Sequence, residues 1–158
     1  MHTAHTQLAG SDDPSPYVVG GMALTVHGFA RMTDDIDLLV TRTDLERLHD
    51  AVVGRGYRRV FEGSKSLRDA RTRVKIEFLL TGDYPGSGKP QPLAFPHPSE
   101  TDRLVHEGVS FIGLAKLVEF KLAPGMTGGV DRARDLVDVQ RLIDILHLPR
   151  EFSADLYE

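Results

Sequence analysis

Three carboxylates are the residues of this chain whose type and spacing best suit chemistry. Asp35 and Asp37 lie in Asp35-Ile36-Asp37-Leu38-Leu39-Val40, whose aliphatic and β-branched residues read as a buried strand. Side chains on a strand alternate faces, so both carboxylates point one way and Ile36 and Leu38 the other. Two neighbouring anions in a sheet repel and lose hydration unless a cation joins them or the strand end is solvated. Mg²⁺ binds through one or two carboxylates plus phosphate oxygens, so the pair reads either as a metal site or as a wet strand end. Glu77 is the third, set in an otherwise apolar run from Ile76 to Leu80. Lys75, on the same strand face, offers it an ion partner. If that strand instead lies beside Asp35 and Asp37, three carboxylates converge, as phosphoryl-type transfer through two metal ions requires.

Gly20-Gly21 separates the β-prone Tyr17-Val18-Val19 from a short helical stretch reaching about Phe29. A glycine pair there permits either a tight turn or the approach of backbone N–H groups to a phosphate. Lys121 is the i+7 position of the stripe Leu114, Leu117, Val118, which brings its ammonium near a buried face, to snorkel out or to meet an anionic ligand. Arg132 is the second phosphate candidate. Arg134, Asp135, Asp138 and Arg141 have the spacing of ordinary helix-surface pairs. The seven histidines show no metal-ligand spacing of the His-x-x-x-His kind, and His27 reads as a surface or packing residue. Ser99 and Ser110 lack a nucleophile-elbow pattern.

Elements must place these groups. Thr43 reads as a helix N-cap with Glu46 three residues on, followed by the stripe Leu45, Leu48, Val52, Val53 and a stop near Gly54 or Gly56. Tyr57–Phe61, Ser66–Asp69 and Val74–Leu80 read as strands, with a polar turn at 70–73. Residues 82–98 hold five prolines and read as a long crossing loop. A helix is expected over 113–123, ended by Pro124-Gly125, and a last amphipathic one from Asp131 or Arg132 to His147 with Leu136, Val139, Ile143 and Leu146 on one side.

At 158 residues, 41% hydrophobic and 27% charged, the chain suits one globular domain, expected over 17–158 behind a loosely attached segment 1–16. Without cysteine it has no disulfide, thiolate zinc site or cysteine nucleophile. No apolar run nears the roughly 18 residues of a membrane span, and the first residues lack a signal-peptide layout, so a cytoplasmic protein without membrane attachment is expected. The net charge of −4 argues against a general nucleic-acid grip. Arg58, Arg59, Arg68, Arg71 and Arg73 either line one side of a cleft for RNA or form a solvated hairpin edge.

The run Val18-Val19-Gly20-Gly21-Met22-Ala23-Leu24, then His27-Gly28, Arg31, Thr33 and Asp35 to Val40, resembles the nucleotidyltransferase superfamily related to DNA polymerase β. The likeness is to small bacterial proteins grouped with abortive-infection type nucleotidyltransferase toxins. It continues through Gly113-Leu114, Lys121-Leu122-Ala123, Gly125-Met126-Thr127 and Arg132-Ala133-Arg134-Asp135-Leu136-Val137-Asp138, covering about residues 17–146. It implies an α/β (α+β) fold, a mixed β-sheet flanked by helices. It further implies Asp35, Asp37 and Glu77 as catalytic residues and ligands of Mg²⁺ or Mn²⁺. Gly20, Gly21, Arg31, Thr33, Lys121 and Arg132 would bind the nucleotide, with Lys121 and Arg132 on its triphosphate. The implied reaction moves a nucleoside monophosphate from ATP or another nucleoside triphosphate to an acceptor hydroxyl.

The departures from the pattern bear on function. The third acidic position is usually Asp, and Gly21 stands where many relatives carry Ser. Ala23-Leu24 replaces the Arg-Asp pair of the CCA-adding branch. The short lead before Tyr17 leaves one side of the sheet uncovered or implies a protein partner or homo-oligomer. The acceptor is RNA, a protein or a small molecule such as an antibiotic. The alternative is a non-catalytic nucleotide-binding or partner-binding module of a toxin–antitoxin system.

Overall fold

A computed structural model describes residues 16–83, 94–97, 103–122 and 129–156, without the side chains of 129–132. The strands are β1 (Tyr17–Val19), β2 (Asp35–Val40), β3 (Tyr57–Arg59), β4 (Leu67–Asp69), β5 (Lys75–Leu80), β6 (Arg103–His106) and β7 (Val109–Ile112). The helices are α1 (Gly20–Val26), α2 (Arg42–Val52), α3 (Leu114–Leu122) and α4 (Gly129–Leu146), followed by a 3₁₀ segment at Arg150–Asp155. All seven strands join one mixed sheet in the order β3-β4-β5-β2-β1-β7-β6, the expected mixed sheet flanked by helices. β2 pairs with β5 in parallel, and α2 with β3 and β4 makes the crossover that parallel neighbours require.

Register divides the sheet into two unlike faces. Val18, Leu38 and Phe111 are aligned across β1, β2 and β7, and Ile36 is aligned with Ile76. This face borders α1 and α2, where the His49 ring stands edge-on to Phe78 at 5.8 Å between centroids. Val19, Asp37 and Glu77 are aligned on the other face, toward α3 and α4. Leu39 and Val40 are fully buried, so both faces are covered at that end of β2. A hollow of about 460 Å³ on the first face is lined by Val18, Met22, Ile36, Leu38, Ile76 and Phe111 among others.

Five details differ from the sequence reading. α2 is capped by Thr41, whose hydroxyl accepts from the Asp44 N–H, and Thr43 lies inside its first turn. The cap goes to the residue that leaves the strand extended with its oxygen facing a free N–H. Val53 ends the helix instead of joining the buried stripe of Leu45, Leu48 and Val52. β3 stops at Arg59, because Phe61 already turns the chain by accepting from the Ser64 N–H. β6 and β7 form a hairpin absent from the expected elements. Glu107 and Gly108, both at positive φ, make its two-residue turn, a pattern that favours close antiparallel pairing.

The last correction concerns α4. It starts at Gly129 and buries Asp135, Asp138, Val139 and Leu142, while Leu136 and Ile143 are exposed. Two acidic residues occupy the inner face because a cation waits there. At the two ends of the crossing segment the Gly82 N–H donates to the Phe95 carbonyl and the Phe95 N–H donates to the Asp83 carbonyl, and Phe95 is buried. Residues 1–15, 84–93, 98–102, 123–128 and 157–158 lie outside the described residues, which takes in most of the expected loose N-terminus, the middle of the long loop, the Pro124-Gly125 stop and the end of the expected domain. Among the described residues no helix is long and apolar enough to cross a membrane.

Candidate active site

The site grows from a register coincidence. β1, β2 and β5 lie side by side, and pairing sets Val19 against Asp37 and Asp37 against Glu77. Immediately after Val19 the chain turns at Gly20, whose φ is +64°. A Cβ at Gly20 would stand 2.2 Å from Oδ2 of Asp37, so only glycine admits the carboxylate there. Gly21 serves a second approach: a Cβ on it would meet Cβ and Oγ1 of Thr33, both at 2.9 Å. The Thr33 hydroxyl donates to the Asp35 carbonyl at 3.1 Å, which fixes the entry of β2 where Thr33 faces Gly21.

A cavity of about 180 Å³ opens at this point, lined by Gly20, Asp37, Glu77, Phe120, Lys121 and Asp135 with their apolar neighbours. Burial, then the charges of Glu77 and Asp35 and a hydrogen bond with Glu77, push Asp37 up to about 7, while Lys121 pulls the other way. A carboxyl held at that level is a store of unmet negative charge. Glu77 also accepts from the Lys75 ammonium, so the strand-face ion pair forms. Lys75 in turn is held protonated, first by its hydrogen bond to Glu77.

Asp35 lies one rung away, aligned with Lys75. Among the described residues no group of three His, Asp or Glu side chains is arranged to hold a metal ion. The expected three carboxylates thus share a face, but the side chains brought into contact are the pair Asp37 and Glu77. As donors they fit a hard divalent cation, because Asp37 is an oxygen ligand whose buried charge lacks full compensation.

Lys121 reaches the buried position its spacing implied and is fixed there by two carboxylates, Asp135 and Asp138, each at 2.9 Å. Arg31 donates to the same Asp138 oxygen at 2.8 Å. Asp138 therefore binds across the fold to Lys121 and Arg31, a correction to the helix-surface pairing its spacing suggested. Asp135 is the residue of the cavity that sequence reasoning set aside; its signal was the i, i+3 spacing with Asp138 on one face. His27 donates through Nε2 to the Ile112 carbonyl at 2.7 Å and so fastens the end of α1 to β7. Arg132 falls among the residues whose side chains are not described.

Compared with known proteins, the chain matches no family model, and a search of curated proteins returns no match.

Proposed function

We propose that this chain is a nucleotidyltransferase, moving a nucleoside monophosphate from a nucleoside triphosphate to an acceptor hydroxyl. One observation carries the reading: Asp37 and Glu77 are held in register on adjacent strands, with the Asp37 carboxylate closed onto Gly20 where no side chain would fit, in a cavity that also contains a lysine. In the proposed step the acceptor oxygen bonds to the α-phosphorus and the bond from phosphorus to the bridging oxygen breaks. Pyrophosphate leaves, and the hydroxyl proton passes to Glu77. Asp37 and Glu77 would hold Mg²⁺ or Mn²⁺, with Asp35 one rung away on the same face. When bound, the metal supplies positive charge to the reacting phosphate. Lys75 orients Glu77, and Lys121 places a cation beside the cavity for the triphosphate.

The test is calorimetry of Mg²⁺ with α,β-nonhydrolysable nucleotide analogues, on the wild type and on an Asp35→Asn, Asp37→Asn double variant. Metal-dependent binding in the wild type alone is the expected result. Absence of binding for every nucleotide defeats the reading. A second reading, a non-catalytic binding module, is favoured by one specific feature: the cavity's lysine already pairs with Asp135 and Asp138, and Glu77 already pairs with Lys75. Binding without transfer of α-labelled nucleotide to any acceptor would favour that module.

A further inference from the structure

Charge is distributed very unevenly in this chain. Between Arg55 and Lys75 lie eight of its 19 Lys and Arg and only two of its 23 Asp and Glu. This segment, which includes β3 and β4 and ends at the start of β5, therefore carries a strong positive charge within a protein of net −4.

Register shows where that charge points. Arg58 is aligned with Arg68, Arg68 with Lys75, and Lys75 with Asp35. Aligned residues on adjacent strands share a face, so one basic row crosses β3, β4 and β5 on the face that carries Asp37 and Glu77. At strand spacing the row extends about 14 Å from Asp35 on the interior strand β2 to Arg58 on the edge strand β3. Arg58, Arg71 and Arg73 are exposed, and Arg68 donates to the Arg73 carbonyl at 2.8 Å, which steadies the turn between β4 and β5. Phe61, just beyond β3, is 68% exposed. A solvated sheet edge explains scattered arginines but gives no reason for an exposed aromatic ring in the chain three residues after Arg58.

We infer that the β3–β4 edge is a binding surface for single-stranded nucleic acid, which it leads toward the carboxylate pair. Such a strand meets three features at once: phosphates for the arginine row, a base face for Phe61, and a terminal hydroxyl for the cavity. An acidic protein segment would use the arginines and leave Phe61 and the continuity with the cavity unexplained. The delivery of a terminal hydroxyl rests on the transferase reading; the binding surface does not.

The experiment is fluorescence anisotropy with 5′-labelled, 20-nucleotide single-stranded RNA and DNA of one sequence. The proteins are the wild type, the triple variant Arg58→Gln, Arg71→Gln, Arg73→Gln, and Phe61→Ala, each checked by thermal melting. Expected are a loss of tenfold or more in the triple variant, a loss of severalfold in Phe61→Ala, and a shallower salt dependence of the triple variant by about two. RNA and DNA arms show which sugar is preferred, and binding of either supports the surface. No binding of the wild type at low salt, or undiminished binding by the triple variant, overturns it. So does an unchanged Phe61→Ala together with equal competition by polyglutamate, which marks general polyanion adhesion. Nucleotide-analogue binding, measured in the same variants and expected to be unaffected, separates failure of this inference from failure of the transferase reading.

Discussion

Asp37 sets the properties of the cavity at the scale of single residues. Its carboxyl ionises near 4 in an unfolded chain and at about 7 in the fold, so between those values the native state binds the extra proton. The stability linked to that proton is complete below about pH 4 and is lost as pH rises through 7. Asp37→Asn removes this dependence, and the variant is expected to gain stability on the wild type between pH 5 and pH 8, read from urea midpoints at both. A wild type and variant that change in parallel would show that Asp37 ionises normally. Gly20 supplies a second prediction at this scale. Gly20→Ala combines a left-handed backbone with a Cβ 2.2 Å from a carboxylate oxygen, and is expected to cost about 1–3 kcal/mol and to remove metal-dependent nucleotide binding. Denaturation and calorimetry on one sample read both effects.

The elements are joined by few but buried polar contacts. Lys121 on α3 meets Asp135 and Asp138 on α4, and Arg31 from the segment before β2 shares Asp138. Removing Asp138 leaves two cations short of a partner, one of them buried. Asp138→Ala is expected to destabilise by about 3 kcal/mol, against less than 0.5 for a change on the outer face of α4 such as Gln140→Ala. Equal effects would mean that the network contributes nothing to docking the helix. The cap of α2 gives a finer comparison: Thr41→Ala is expected to cost about 1 kcal/mol and Thr43→Ala a few tenths, because only the Thr41 hydroxyl meets a free N–H. The reverse order in thermal melting would return the cap to the position that the Thr43–Glu46 spacing favoured.

At the scale of the whole molecule, the sheet is deepest where its chemistry lies. β2 and β5 have neighbours on both sides, whereas β3 and β6 are the two edges. Amide exchange is expected to be slowest across 35–40 and 76–80 and to begin at 57–59 and 103–106. Fast exchange through β2 would contradict a rigid frame for the carboxylates. The two faces also differ in character, one with an apolar hollow against α1, the other with the charged cavity against α3 and α4.

The local sequence determined what local forces control. β2 and β1 were legible because apolar and β-branched residues dominate them, and α2 because Leu45, Leu48 and Val52 recur at helical spacing. Alternation along a strand was enough to put Asp35 and Asp37 on one face, and the i+7 position brought Lys121 to a buried face but left open whether it snorkels out or meets an anion, which the pairing with Asp135 and Asp138 decides. What Glu77 touches was open, because its meeting with Asp37 depends on β5 returning parallel beside β2 after a crossover of more than thirty residues. The β6–β7 hairpin was missed although Glu107-Gly108 marked its turn. Only tertiary structure settled which face of α4 is inward: Leu136 and Ile143 match the helical period, yet pairing Lys121 with Asp135 and Asp138 turns them to solvent. Periodicity ranks faces by hydrophobicity, and a buried cation on a neighbouring helix outweighs that ranking because leaving it unpaired costs more than exposing two aliphatic side chains.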